Sequence, residues 1–181
     1  MNMNIESLAI PDVLLIKPSL HEDERGFFYE LFNQKEFNLK SGLNINFVQD
    51  NISFSKKNVL RGLHYQESPF EQGKLVSVIS GEVIDVVVDL RKDSTTYGKY
   101  VKEKLSSENK KQIWIPPGFA HGYYTCSGGA NFLYKTTNYY SKKHEKIIIW
   151  NDSSLNIDWS ISESPIISAK DANGKNFKGV S

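Results

Sequence analysis

Apolar and polar residues alternate along most of the chain, and this period of two predicts β-strands. Eight segments show it, at residues 47–55, 59–66, 74–80, 82–90, 100–106, 112–118, 131–140 and 146–152. Turn-forming sequences separate these segments, among them SG at 80–81, PPG at 116–118 and SGG at 127–129. Many short strands separated by turns are typical of a β-sandwich or a β-barrel, so the pattern predicts a mainly β fold.

The remaining segments predict one helix and an irregular tail. Residues 33–43, with the sequence NQKEFNLKSGL, are the best helix candidate, and Gly42 is the expected stop. From about residue 160 the sequence predicts an irregular C-terminal tail that wraps the surface. The chain has no internal repeat and no low-complexity linker, which favours a single domain over residues 1–181 that begins with an extended N-terminal segment.

Composition narrows the class of partner. The formal net charge of +1 gives no reason to expect nucleic acid or an anionic membrane. No apolar stretch approaches the roughly 20 residues that span a bilayer, and the first residues lack the basic start and apolar centre of a signal peptide. Cys126 is the single cysteine, so an internal disulfide is excluded and a reducing cytoplasm is the expected location.

The strand predicted at 82–90 carries carboxylates on one of its two faces. One face is purely apolar, whereas the other alternates valines with Asp85 and Asp89. A carboxylate is costly to bury unless it is paired or hydrogen-bonded. Two interpretations therefore stay open: this face is solvated, or it lines a polar cavity inside a barrel.

Two of the four histidines are candidates for chemistry. His21 and His144 lie in charged, turn-like segments and are expected to be solvated, whereas His64 and His121 lie beside glycines and aromatic residues. Neither of the latter two has further ligands at a suitable spacing, so the sequence disfavours a metal site. Each is then either a core residue or a proton-transfer group.

Other polar residues on the predicted strands favour a role for His64 in proton transfer. Arg61, Lys74 and Tyr134 also lie on predicted strands among apolar neighbours. Together these residues supply a base, cations and a phenolic acid, the groups needed to move protons beside a carbonyl. Strict alternation would put Arg61 and His64 on opposite faces of their strand. The hypothesis that both serve one pocket therefore requires a bulge, and Gly62 lies where one would be tolerated.

Six segments occur in an order that points to a known family. They are QDNISFSKKNVLRGLHYQ, GKLVSVISGEVIDVVVDLRKDSTTYG, IWIPPGFAHGYY, FLYKTTNYYS, IIIWND and ISAKDA. From about residue 8 to about residue 175, the chain closely resembles the dTDP-4-dehydrorhamnose 3,5-epimerases. The resemblance implies a cupin-type jelly-roll β-barrel with short flanking helices, a homodimer, and no metal or other cofactor.

The resemblance also implies roles for individual residues. His64 corresponds to the catalytic base and Asp171 to the carboxylate that orients it. Lys74 corresponds to the lysine beside the C4 carbonyl oxygen, and Tyr134 to the acid on the opposite face of the sugar ring. The substrate-binding positions of the family correspond to Arg25, Glu30, Gln49, Asn51, Arg61, His121, Glu145 and Lys170.

Further positions carry weaker implications. Asp85 corresponds to a polar position that supports the pocket, and the segment with Arg25 and Glu30 is implied to reach across from the neighbouring subunit. The chain departs from the family at Pro117, where glutamate is frequent. It departs again at Tyr123–Tyr124, where one aromatic residue followed by a smaller one is common. Tyr123 is therefore expected to alter the shape of the sugar pocket.

The implied activity is epimerisation at C3 and C5 of dTDP-4-dehydro-6-deoxy-D-glucose. Two alternatives within the same chemistry stay open: a single C3- or C5-epimerase, and an epimerase of another 4-keto sugar, such as a GDP-linked one. A third alternative belongs to a different class, a sugar-nucleotide-binding cupin without catalysis. The joint presence of a base, an acid and a cation argues against that alternative, because binding alone requires no proton transfer.

Overall fold

Two antiparallel β-sheets face each other in the computed structural model, which describes residues 3–161 and 163–179. The larger sheet contains, in spatial order, β1 (Met3–Ser7), β2 (Leu14–Pro18), β10 (Gln112–Ile115), β7 (Lys74–Ser80), β12 (Gly129–Thr136) and β5 (Gln49–Lys56). The smaller sheet contains β13 (Glu145–Ile147), β6 (Leu60–Gln66), β11 (Phe119–Thr125), β8 (Glu82–Asp89) and β9 (Tyr100–Ser106). Most neighbours in space are distant in sequence, as in a jelly roll.

Short elements flank the two sheets. The strands β3 (His21–Asp23) and β4 (Gly26–Phe28) form a separate hairpin, and the helices are α1 (Gln34–Ser41), α2 (Ala169–Ala172) and a 3₁₀ turn at Phe177–Gly179. The prediction of a mainly β jelly roll with short helices is confirmed. Among the residues described, no helix is long and apolar enough to cross a membrane.

Helix α1 begins and ends as its sequence predicts. The side chain of Asn33 accepts a hydrogen bond from the backbone N–H of Glu36, which caps the first turn. Gly42 follows the last turn in the left-handed conformation, with φ of 71°, and its N–H bonds to the carbonyl of Asn38. Phe37 is buried against Trp114, so the helix covers the outer face of the larger sheet.

Strand β8 is buried on both faces because it lies between the barrel interior and the C-terminal tail. Val83 and Val87 pack into the cluster between the two sheets, whereas the valines on the other face pack beneath Trp159 of the tail. Asp85 and Asp89 are both 0 % exposed. The interpretation of a solvated carboxylate face is therefore wrong: Asp85 pairs with His121, and Asp89 accepts hydrogen bonds from the turn that follows the strand.

The sequence pattern missed strands where alternation is absent. All seven residues of β11 are buried, so no polar face marks the strand. The segments 112–118 and 146–152 are shorter than expected, since β10 ends at Ile115 before two prolines and β13 covers only Glu145–Ile147. The tail is mostly irregular, as expected, but it contains α2, which returns to the barrel beside β6.

Candidate active site

A polar cavity of about 220 Å³ opens between the two sheets. The residues that line it are Ser53, Arg61, His64, Lys74, His121, Gly122, Tyr123, Phe132, Tyr134 and Glu145. They come from β5, β7 and β12 of the larger sheet and from β6, β11 and β13 of the smaller one. Because titratable side chains converge here within an otherwise apolar barrel, this cavity is the candidate active site.

An irregularity in β6 brings Arg61 and His64 to the same cavity. His121 pairs with His64, but Tyr123, two residues later, pairs with Arg61, three residues earlier. Strand β6 therefore carries one extra residue at this point, which is the geometry of a β-bulge. Gly62 has φ of 124°, and a Cβ there would lie 2.6 Å from the Cα of Gly122. The required bulge is present, and glycine permits it.

His64 forms a close pair with a buried carboxylate from the tail. Its Nε2 lies 2.7 Å from Oδ1 of Asp171, whose Oδ2 accepts the N–H of Gly62 at 3.2 Å. Ser168 caps α2 by accepting the N–H of Asp171, which fixes the carboxylate position. Burial raises the pKa of Asp171, but the hydrogen bond and charge of His64 outweigh it, so the carboxyl stays below its usual range. The pair fixes one ring nitrogen as the donor.

Lys74 opens β7 at the edge of the cavity, on the sheet opposite His64. Burial lowers the pKa of its ammonium group to about 8, although the nearby charges of Glu145 and Asp85 partly oppose this shift. A lysine with such a pKa is still largely protonated near neutral pH. The site therefore contains a cation that is poised to meet developing negative charge.

Tyr134 lies on β12, also in the larger sheet. Burial raises the pKa of its phenol, with further increases from Tyr123 and Glu145 and a decrease from Arg61. The hydroxyl therefore stays protonated at neutral pH and is available as a proton donor. Tyr134 and His64 thus border one cavity from opposite sheets.

His121 forms a second, more deeply buried pair. Its Nε2 lies 2.8 Å from Oδ2 of Asp85, and its ring stacks on Phe132 with centroids 5.8 Å apart. Asp85 Oδ1 is buried and has no hydrogen-bond partner among the described residues. Both predicted residues therefore belong to the cavity wall, with Asp85 behind His121.

The other predicted binding residues lie at the rim or away from it. Glu145 accepts hydrogen bonds from Lys170 and from Tyr140, and these outweigh its burial to hold the pKa of Glu145 below its usual range. Gln49 donates to Asn51 on the face of β5 that continues from the cavity wall. Thus the structure places these residues beside the cavity.

Two predicted residues are not brought to the cavity of the same chain. Arg25 lies in the turn between β3 and β4, where it binds Asp23, and its side chain is 84 % exposed. Glu30 accepts a hydrogen bond from Asn33 next to helix α1. Neither residue is among those that line the cavity.

Four cavity residues lie outside the set of predicted site residues: Ser53, Gly122, Tyr123 and Phe132. Ser53 and Phe132 are recoverable from alternation, since each lies two residues from a predicted site residue, Asn51 and Tyr134 respectively. Tyr123 was expected only to alter the shape of the sugar pocket, as a departure from the family pattern, and it lines the cavity. No group of three or more histidine, cysteine or carboxylate side chains forms a metal site within residues 3–161 and 163–179.

Comparison with known proteins identifies the family to which the chain belongs. The family model described as dTDP-4-dehydrorhamnose 3,5-epimerase matches residues 7–179. The dTDP-4-dehydrorhamnose 3,5-epimerase of Shigella flexneri is 55% identical over 175 residues, covering 97% of this chain and 96% of the relative. That of Pseudomonas aeruginosa is 53% identical over 175 residues, with the same coverage of 97% and 96%.

A solved structure is similar over nearly the whole chain. It is the dTDP-6-deoxy-D-glucose-3,5-epimerase of Legionella pneumophila in complex with dTDP-4-keto-L-rhamnose. It superposes with a TM-score of 0.96 at 49% identity and covers 99% of this chain and 95% of that one. Sequence and structure together lead to one conclusion: the chain belongs to the dTDP-4-dehydrorhamnose 3,5-epimerase family.

Proposed function

We propose that this protein is an isomerase that converts dTDP-4-dehydro-6-deoxy-D-glucose into dTDP-4-dehydro-L-rhamnose by inverting C3 and C5. The observation that carries the proposal is that His64 and Tyr134 border one cavity from opposite sheets, with Lys74 beside them. A sugar ring held between the sheets has a base on one face and an acid on the other. Family membership supports the same reaction.

His64 is the proposed base for both carbons. The protons on C3 and C5 are each α to the C4 ketone, so removal of either proton gives an enolate. Because Asp171 binds the N–H at Nε2, the lone pair on Nδ1 is the one that takes the carbon-bound proton. Asp171 then stabilises the imidazolium that forms, as the aspartate does in a serine-protease triad.

Lys74 is the proposed partner of the enolate oxygen. As the C–H bond breaks, its electron pair moves through the C4 carbonyl and places negative charge on O4. A donor already held in position stabilises such charge by about 3–4 kcal/mol. The depressed pKa of Lys74, about 8, leaves the ammonium form dominant at neutral pH, where this stabilisation is needed.

Tyr134 is the proposed acid for the opposite face of the ring. Delivery of its phenolic proton to the enolate carbon inverts that carbon, and the phenolate is then reprotonated from solvent. Its raised pKa keeps the proton in place until the enolate forms. A positioned acid of this kind contributes about 100- to 10,000-fold to the rate.

The nucleotide supplies most of the proposed binding energy. The planar guanidinium of Arg61 suits a diphosphate, because its N–H groups match pairs of phosphate oxygens. Around the sugar and nucleotide, the proposed contacts come from residues at the wall and rim: Gln49, Asn51, His121, Glu145 and Lys170. Asp85 supports this wall by holding His121.

A second copy of the chain is the proposed partner. Phe27 and Phe28 on the β3–β4 hairpin are 55% and 58% exposed, and Ile52 and Phe54 on the edge strand β5 are 67% and 58% exposed. Exposed apolar side chains at an unpaired sheet edge are typical of an interface. In the proposed homodimer, the hairpin carries Arg25 and its neighbours Phe27 and Phe28 to the nucleotide in the partner's cavity.

Solution behaviour tests the dimer separately from the chemistry. Sedimentation should give twice the chain mass, and Phe54→Asp should shift the protein towards a monomer with weaker nucleotide binding. A wild-type monomer with full activity would contradict the dimer proposal but not the reaction. The proposed location is the cytoplasm, in keeping with the single free cysteine, Cys126.

The reaction itself is tested by incubating the protein with dTDP-4-dehydro-6-deoxy-D-glucose in D₂O and measuring deuterium at each carbon. Deuterium at C3 and C5, with the L-rhamnose configuration in the product, is the expected result. Exchange at one carbon would make the protein a single epimerase. If exchange occurs with a GDP-linked sugar but not with this one, the substrate carries GDP in place of dTDP. Tight binding without exchange of any substrate would indicate a binding protein.

A further inference from the structure

Four polar side chains form a connected row along the cavity wall. Arg61 Nε donates to Ser55 Oγ at 2.9 Å, and Ser55 Oγ lies 3.0 Å from the hydroxyl of Tyr123. The same hydroxyl lies 3.0 Å from Ser53 Oγ. Tyr123 and Ser55 are buried, and Arg61, Ser53 and Tyr123 border the cavity. The Tyr123 hydroxyl is therefore the link between two groups that meet the ligand.

The number of hydrogens on each group sets the direction of the row. Ser55 Oγ already accepts from Arg61, so its own hydrogen needs an acceptor, and Tyr123 Oη is the one within reach among the described residues. Tyr123 then has its single hydrogen left for Ser53 Oγ. Because Ser53 accepts that bond, its own hydrogen is left to donate into the cavity.

The packing of the Tyr123 ring fixes the position of its hydroxyl. It is 4% exposed and lies nearly parallel to Phe132, with ring centroids 4.1 Å apart and an interplanar angle of 12°. A stacked, buried ring keeps one rotamer, so its hydroxyl orients the serines rather than following them.

The Arg61 guanidinium is oriented along one edge. Its Nε binds Ser55, and one terminal nitrogen donates to the carbonyl oxygen of Phe54 at 3.1 Å. The remaining N–H groups are left for a phosphate, and their direction depends on the position of Ser55. A guanidinium fixed before binding loses less entropy when the ligand arrives.

We infer that Tyr123 is a positioning residue for the diphosphate of the nucleotide sugar: its hydroxyl holds Ser55, and through it Arg61, while turning Ser53 into a donor towards the cavity. The inference rests on the proposed function only for the identity of the ligand. It predicts that loss of one buried hydroxyl in the cavity wall weakens binding of the phosphates specifically.

The test compares two neighbouring tyrosines on β11. Tyr123→Phe keeps the stacked ring and removes the hydroxyl. Tyr124→Phe removes a second buried hydroxyl, which donates to Asn58 at 2.8 Å on the other face of the strand. Binding of dTDP and of thymidine, measured by calorimetry on the full chain, separates phosphate contacts from base contacts.

We expect Tyr123→Phe to weaken dTDP binding and raise KM by about 5- to 30-fold, while thymidine affinity is unchanged and kcat changes by less than about threefold. Tyr124→Phe should bind dTDP like the wild type. Unchanged dTDP affinity in Tyr123→Phe would overturn the inference. So would an equal loss for dTDP and thymidine, because that result would indicate general loosening of the cavity.

A second variant covers the case in which Tyr123→Phe fails to fold. Ser55→Ala interrupts the same row next to Arg61 and should produce a similar loss of dTDP affinity. Where both fold, the double variant should lose less than the sum of the two single losses, since both variants break the link from Tyr123 to Arg61. Fully additive losses would overturn the row. Intact dTDP binding without turnover would refute the proposed reaction but leave this inference standing, whereas a wild-type protein that does not bind dTDP overturns both.

Discussion

Two histidine–aspartate pairs lie side by side in this barrel, on strands that are neighbours in the smaller sheet. His64 and His121 are opposite each other in the register of β6 and β11. Their Nε2 atoms lie 2.7 and 2.8 Å from the carboxylates of Asp171 and Asp85. The His64 side chain is 29% exposed and that of His121 is 9% exposed. The two N···O distances are thus similar, although His64 is more exposed than His121.

The surroundings separate the tasks of the two pairs. Asp171 comes from the tail, where a helix cap and the N–H of Gly62 hold it behind His64. Asp85 comes from the central strand β8 and has one oxygen without a hydrogen-bond partner among the described residues. A histidine backed by a fully bonded carboxylate and open to the cavity can exchange protons with a ligand. A histidine stacked in the wall instead gives the cavity its shape.

The largest expected difference between the pairs lies in the two histidines themselves. His64→Ala should reduce kcat by about 10,000-fold and remove deuterium exchange at C3 and C5, because it deletes the proposed base. His121→Asn should retain exchange at both carbons and mainly raise KM. Exchange measured by mass spectrometry decides, and substantial exchange in His64→Ala would transfer the role of base elsewhere.

Replacement of Tyr134 tests whether the acid is Tyr134 or the His121–Asp85 pair. If the proton comes from the opposite sheet, Tyr134→Phe should reduce inversion by about 1,000-fold while some exchange at C3 persists, because His64 still abstracts. The measurement is product configuration by NMR, alongside deuterium content. Normal double inversion in this variant would point to His121 as the acid and erase the distinction between the pairs.

Replacement of Asp171 should mainly lower the rate, whereas replacement of Asp85 should mainly lower the stability. Asp171→Ala should lower kcat by about 100-fold, since His64 loses the partner that fixes its tautomer. Asp85→Ala should lower the free energy of unfolding by about 1–3 kcal/mol, because it leaves His121 Nε2 buried without an acceptor. Urea unfolding and steady-state kinetics on both variants provide the comparison. A rate loss in Asp85→Ala as large as in Asp171→Ala would make the second pair catalytic as well.

The comparison also shows what sequence patterns can reach. The alternation of apolar and polar residues predicted β7 and β9 with the correct bounds. It also required a bulge at Gly62, because Arg61 and His64 are three residues apart and would otherwise lie on opposite faces of the strand. It left Asp85 undecided, since a face of valines and carboxylates reads the same whether solvated or turned inward. The partner of His64 lies 107 residues away, and the sequence pattern gave no sign of this contact; only the family resemblance did.

Residues that act through packing were the hardest to identify. Strand β11 is buried throughout, so alternation did not predict it. Without this strand, no sequence pattern indicated which residues Tyr123 contacts. The contact between its hydroxyl and two serines on β5 spans about 70 positions and depends on the stacking of the two sheets. Such a row exists only once the barrel is closed, and local patterns carry no record of it.

The proposed role of Lys74 would link the His121–Asp85 pair to the reaction through charge, and this effect is the smallest expected. Burial lowers its pKa to about 8, and the carboxylates of Glu145 and Asp85 hold it from falling further. The protonated form is the one proposed to stabilise the enolate, so kcat/KM should fall above about pH 8, roughly tenfold per pH unit. Lys74→Arg should remove this alkaline limb, because a guanidinium stays charged there.

The same profile measured in the aspartate variants completes the comparison of the pairs. Asp85→Ala removes a charge that raises the pKa of Lys74, so its alkaline limb should move to lower pH. Asp171→Ala should leave the limb where it is, despite its greater loss of rate. A limb that shifts in Asp171→Ala but not in Asp85→Ala would mean that the alkaline group is not Lys74. The predicted outcome would assign the buried pair an indirect part in the reaction, through the pKa of the lysine that meets the enolate.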